Sequence, residues 1–132
     1  MSGDDGKNIL RSGPIRVWHD DAHGIIVADF DPRAELTLEH ARASTESMRR
    51  LTNNVARPLL VDFTNMKSQT KECRDYFAKD PNHIATYTAA ALLVNSPLTR
   101  VIANFFIGIN KAAKPTRLFD DRKKAIEWLL AQ

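Results

Sequence analysis

Arg57-Pro58-Leu59-Leu60-Val61-Asp62-Phe63, Thr64-Asn65-Met66-Lys67-Ser68-Gln69-Thr70 and Lys71-Glu72-Cys73-Arg74-Asp75-Tyr76-Phe77 follow one another without a break. The first seven residues read as a central strand, because a continuous apolar run suits a strand covered on both faces. The next seven read as a polar turn. The last seven open a helix that carries Cys73, Tyr76 and Phe77 inward. In open α/β sheets such a junction is where ligands and partners dock, since strand ends and a helix N-terminus converge there.

The flanking sequence extends the same alternation. Residues 1–13 are rich in Gly, Ser and Asp and are expected to form a flexible tail. A single domain then spans 14–132. Ile15–His19 alternates apolar and polar residues as a half-buried strand. Ile25–Phe30 returns after the Asp20–Gly24 turn, giving a hairpin. Thr37 is an expected helix N-cap with Glu39 in the first turn. Leu38, Ala41, Thr45, Met48 and Leu51 recur at helical spacing, with Glu46 and Arg50 placed to pair outside. Asn53-Asn54 is a natural stop. Thr86–Asn95 is a second apolar strand. Ser96-Pro97 starts a helix whose Leu98, Val101, Ile102, Phe105, Phe106 and Ile109 form an apolar stripe, with Ile107 opposite it. Pro115–Phe119 is a last strand, and Asp120-Asp121 opens a helix presenting Ala125, Ile126, Trp128, Leu129 and Leu130 to the sheet. The order is β-β-α-β-α-β-α-β-α. It implies an α/β domain with a mixed, mostly parallel sheet covered by helices and joined by right-handed crossovers.

Composition narrows the function classes. The chain has 132 residues, 43% of them hydrophobic and 27% charged, as expected of a globular domain. The longest strongly apolar run, Ala89–Val94, is far too short to insert across a membrane. The polar start Met1-Ser2-Gly3-Asp4-Asp5-Gly6 lacks the features of a signal peptide, so the cytoplasm is the expected compartment. One cysteine rules out an internal disulfide and any Cys-rich metal cluster. The net charge of +3 is scattered among acidic neighbours and reads as a solvated surface, with no nucleic-acid partner implied. The histidines lack metal-ligand spacing, and neither a Gly-rich phosphate loop nor a nucleophile elbow is present. No catalytic residue, metal or cofactor is therefore assigned.

Leu59-Leu60-Val61-Asp62-Phe63-Thr64-Asn65-Met66 resembles the STAS pattern of an apolar strand ending in Asp-Leu-Ser, a small residue and then a hydrophobic. Trp18, Arg74-Asp75-Tyr76-Phe77, Ala90-Ala91-Leu92-Leu93-Val94-Asn95-Ser96-Pro97, Asn104-Phe105-Phe106 and Pro115-Thr116-Arg117-Leu118-Phe119 strengthen the likeness. So does Ala125-Ile126-Glu127-Trp128-Leu129. Together they resemble small uncharacterised bacterial proteins of SpoIIAA-like fold, also described as STAS or Sec14-like. The resemblance covers about residues 14–130 and implies a regulatory, non-enzymatic module that docks a protein partner or forms a homodimer. Anti-sigma-factor antagonists carry Asp-Ser-Ser-Gly where this chain has Thr70-Lys71-Glu72-Cys73. The phosphorylation switch implied by the family is missing, and Ser68 and Thr70 are the nearest hydroxyls.

The candidate docking surface is the junction itself: Asp62, Thr64, Asn65, Lys67, Ser68, Thr70, Lys71 and Arg74. Asn95, Ser96 and Arg100 come from the next strand–helix junction, expected alongside. Asp62 is read first as a cap on backbone N–H groups, and Thr70 or Ser68 as the helix N-cap. The alternative to docking is a small-molecule binder. It would take an anionic metabolite at the Thr64/Asn95/Arg100 rim, or an apolar, lipid-like ligand beneath Phe105 and Phe106. Cys73 reads as a buried structural thiol.

Overall fold

The computed structural model describes residues 8–108 and 113–132, with the backbone alone for 104–108. The hairpin forms as expected. Strand β2 (Ile15–Asp20) runs antiparallel to β3 (Ile25–Phe30), with Trp18 opposite Val27. Its turn is held by Asp20, whose Oδ1 accepts the N–H groups of Ala22 and His23, while Gly24 takes φ +69°. That left-handed backbone suits a residue without a Cβ. Ahead of the hairpin, Leu10–Ser12 form an edge strand, β1, antiparallel to β2. The expected tail therefore contains an ordered strand, while its first seven residues lie outside the described ones.

After β3 come β4 (Ala34–Leu36) and helix α1 (Leu38–Thr52). Thr37 caps α1: its Oγ1 accepts from His40 N, and His40 Nδ1 accepts from Thr37 N. Asn53 closes the helix at φ +53°, a left-handed position that Asn tolerates. The outer ion pair of Glu46 forms with Arg49 and not with Arg50, one residue nearer than expected.

The opening stretch folds as β5 (Arg57–Asp62), β6 (Met66–Gln69) and α2 (Lys71–Lys79). The polar turn expected over 64–70 is thus only Thr64-Asn65. Met66–Gln69 are extended and pair in parallel with β4 as a separate two-stranded ladder. A one-turn helix, α3 (Pro81–Ile84), follows, then β7 (Tyr87–Leu93), α4 (Pro97–Gly108), β8 (Thr116–Phe119) and α5 (Arg122–Leu130).

The main sheet has the order β1-β2-β3-β5-β7-β8, parallel from β3 onward. It is a mixed, mostly parallel α/β sheet. From β3 the strand order advances in one direction, so right-handed crossovers all land on one face. Ala41 and Met48 of α1, Cys73 of α2 and Ile102 and Ala103 of α4 share a core with Val17, Ala28, Leu59 and Leu92. The other face is closed by α5, whose Ala125 and Leu129 pack with Trp18, Val27, Leu60 and Ala91. β2 is therefore covered on both faces, because Val17 and Trp18 point into opposite cores, and is not half-buried as its alternation implied.

Two expected apolar faces are narrower than the sequence indicates. On α4 Ile102 is buried, but Leu98 and Val101 are each 54% exposed. The side chains of Phe105, Phe106 and Ile107, and residue Ile109, lie outside the described residues. On α5 Ala125 and Leu129 are buried, whereas Leu130 is 53% exposed. A helix lying on a sheet buries only one stripe, and both sets spread beyond it.

Candidate functional site

The strand–helix junctions come together at one end of the sheet. Phe63 N donates to Leu93 O at 2.9 Å, which sets the end of β5 beside the end of β7, while Asn65 turns the other way and its carbonyl accepts from Ala34 N. Their polar groups are used locally. Asp62 Oδ1 accepts from Thr64 N at 3.0 Å, and its Oδ2 accepts from Arg122 Nη2 at 2.9 Å, tying β5 to the start of α5. Asn65 Nδ2 donates to Phe30 O. Thr70 Oγ1 caps α2 by accepting from Cys73 N. Ser96 Oγ accepts from Thr99 N, and Thr99 Oγ1 accepts from the N–H groups of Asn95 and Ser96. Lys71 binds Asp75 at 2.6 Å and holds that exposed carboxyl below the usual carboxylate range. Lys67 and Arg100 are exposed, Arg74 is half-buried, and Ser68 sits half-buried in β6 opposite Glu35.

The crevice expected at this junction has a topological requirement that the fold does not meet. In doubly wound sheets it opens where the strand order reverses and neighbouring crossovers leave to opposite faces. Here the crossover helices lie on one face and the order never reverses from β3 to β8.

A cavity of about 90 Å³ lies instead between the sheet and that helical layer. Val17, Ala28, Phe30, Leu59, Ala90 and Leu92 form its floor, with Ser44 and Met48 of α1, Met66 of β6, Phe77 and Ala78 of α2 and His83 of α3 opposite. Small residues make the space: Ala28, Ala90, Ser44 and Ala78 stand where larger side chains would fill it. Phe77, Ala78 and Thr116 are half-buried and Ala113 is exposed, marking the side open to solvent.

His83 is one polar residue of this wall, with Ser44, Tyr87 and Thr116. It is 6% exposed and packs against the rings of Tyr76, Phe77 and Tyr87, with centroids 5.9, 5.0 and 5.6 Å away. Its Nδ1 lies 3.0 Å from Thr45 Oγ1, which also accepts from Tyr76 Oη at 2.9 Å and lies 3.3 Å from Ala41 O. Burial pushes the imidazole down to about 4, against the opposing pull of Asp80, so the ring is neutral at pH 7. Nε2 bonds to no described residue, and no side-chain nitrogen or oxygen among the described residues is both buried and unpartnered. Nε2 is therefore not sealed in protein. Tyr87 Oη is in the same position, and burial raises its pKa.

Cys73 is fully buried and its thiol is pushed up to about 12, the opposite of what a nucleophile needs. Among the described residues no three His, Cys, Asp or Glu side chains come together as a metal site. No described helix is long and apolar enough to cross a membrane. Sequence reasoning left His83 and Tyr87 out of the candidate site. The available signals were Ser44-Thr45 on the inward face of α1 and the small Ala89-Ala90-Ala91 run in a central strand.

Residues 17–131 match the model of a family described as a domain of unknown function, DUF7793. The chain belongs to the DUF7793 family. No curated protein matches this DUF7793 sequence. Among solved structures it is similar to an uncharacterised protein of the DUF3478 family with a SpoIIAA-like fold, from Shewanella loihica PV-4. The two share 16% identity over 94% of this chain and 92% of the other, with a TM-score of 0.58. The DUF7793 chain thus has the SpoIIAA-like fold expected from its sequence, and neither comparison names a reaction.

The His83 environment gives a pH signature. The folded pKa, about 4, lies below the ordinary 6.5, so between these values the unfolded chain binds the extra proton. Stability is full above about pH 6.5 and falls as pH drops toward 4, by up to about 3 kcal/mol from this group. Urea unfolding at pH 7 and pH 4.5 should show a shallower acid loss in His83→Gln than in the parent. Equal losses would mean that His83 is not buried neutral.

Proposed function

We propose that this DUF7793 chain is a non-enzymatic binding module, one domain that includes the edge strand β1 ahead of residue 14, and that it holds a small apolar molecule between its sheet and its helical layer. The cavity carries this reading. It is lined mainly by aliphatic and aromatic side chains, opens on one side, and contains few polar groups, as small-molecule sites do. The absence of a catalytic assignment rests on Cys73 being sealed and protonated, and on Asp62 being committed to Arg122 and a backbone cap. A cytoplasmic setting, and the use of ligand occupancy as a regulatory signal, belong to the same proposal.

The second reading is docking of a protein partner, or of a second copy, at the junction end. It would use Asp62, Thr64, Asn65, Lys67, Ser68, Thr70, Lys71, Arg74, Asn95, Ser96 and Arg100. The exposed pair Leu98 and Val101, one helical turn apart beside Arg100, favours it. Crosslinking and sedimentation should then show a complex or self-association that Leu98→Glu/Val101→Glu removes. A monomer that captures nothing would end this reading.

For the cavity, Ala90→Leu is the direct test, because its added side chain fills the space. Native mass spectrometry and thermal-shift screening with small apolar compounds should show binding to the parent and none to Ala90→Leu. The unliganded variant should melt within a few degrees of the parent or higher. Compounds that bind both proteins equally would place the site elsewhere.

A further inference from the structure

The cavity wall is apolar except at a few points, and His83, 6% exposed, is one of these and keeps an atom that bonds to no described residue. Its ring is oriented by Thr45, which is itself positioned by Tyr76 and by the carbonyl of Ala41. With Nδ1 turned to Thr45, Nε2 lies on the opposite side of the ring. His83 lines the cavity, and among the described residues Nε2 is neither bonded nor sealed off. Neighbouring Tyr87 also lines the cavity, and its hydroxyl likewise bonds to no described residue and is not sealed off. An apolar ligand that displaces water from these atoms forfeits a hydrogen bond, whereas a ligand that carries a polar group replaces it.

We infer that the cavity selects an uncharged molecule of about one ring that carries a hydroxyl group, with the hydroxyl bonded to His83 Nε2. The inference rests on the cavity being the binding site. A hydroxyl both donates and accepts, so it satisfies Nε2 whichever ring nitrogen carries the proton. Thr45 sets that choice by donating either to Nδ1 or to Ala41 O. A carboxylate is selected against: no Lys or Arg is among the described lining residues, and the neutral imidazole offers no positive charge. Lys114 lies over the Tyr87 ring, but its Nζ already donates to Tyr87 O at 2.8 Å and to Ile84 O at 3.3 Å. Size sets the upper limit. The cavity of about 90 Å³ is smaller than the ~150 Å³ known to enclose benzene, so a single ring fills it and reaches the open side at Phe77 and Ala78.

Two of the chain's three methionines, Met48 and Met66, line the cavity and give a direct readout. The full chain, labelled with ¹³C at the methionine methyl groups, is titrated at pH 7 with phenol, toluene and benzoate. The expected result is a saturable shift of the Met48 and Met66 methyls, with phenol binding about tenfold tighter than toluene, the scale of one hydrogen bond. Benzoate should give no shift. His83→Leu should bind phenol and toluene alike. If His83→Leu does not fold, His83→Gln replaces it, and the comparison of ligands on the parent stands alone. Toluene binding as tightly as phenol, or benzoate binding tightest, would overturn the hydroxyl anchor and leave the cavity reading intact. No shift with any of the three would overturn both.

Discussion

One-way progression of the parallel strands is the constraint on which the rest of the molecule depends. From β3 to β8 each new strand is added on the same side of the last. Right-handed crossovers then place their helices on a single face. That face carries α1, α2 and α4, and the opposite face is left to α5 after the last strand. The Asp62–Arg122 pair, 2.9 Å apart, ties this C-terminal helix to the central strand β5. An exposed ion pair contributes little by itself, so the burial of Ala125 and Leu129 holds α5 in place.

The same constraint removes one topological reason to expect a crevice at the strand ends. Without a reversal of strand order no crevice is required at the strand ends, and the groups there turn to capping. The crowded face has the opposite difficulty. Several helices cross one sheet, and small residues on both sides leave a cavity that close packing would otherwise remove. A second unusual feature lies in α1, whose buried face includes Ser44, Thr45, Ser47 and Thr52. Ser44 and Thr52 satisfy themselves on carbonyls of their own helix, and Ser47 meets Ser12 of β1. Thr45 reaches out to Tyr76 and His83, and so turns a helix face into a support for the cavity wall.

Much of the fold was legible because its signals are local. The apolar run at β5, the Ser96-Pro97 start of α4, the Thr70 cap of α2 and the Asn53 stop of α1 each depend on residues within a few positions of one another. β4 and β6 were not legible. Ala34–Leu36 is too short to show a period, and Met66–Gln69 is polar enough to read as a turn until its partner strand is known. Leu98 and Val101 share their helix period with buried Ile102, and only the placement of α4 separates exposed from buried. His83 follows a proline in a one-turn helix, where nothing local indicates that it will be enclosed by three aromatic rings from α2 and β7. The site residues hardest to foresee are those defined by long-range packing.

The central claim is that the space between the sheet and the helical layer is a standing cavity able to accept an apolar guest. A crystal of the full chain pressurised with xenon tests it most directly, since xenon enters apolar cavities of this kind. The account predicts a xenon site among Ala28, Met48, Leu59 and Ala90, with the surrounding backbone unchanged. A crystal in which these side chains close on one another and xenon is absent from the space would contradict it.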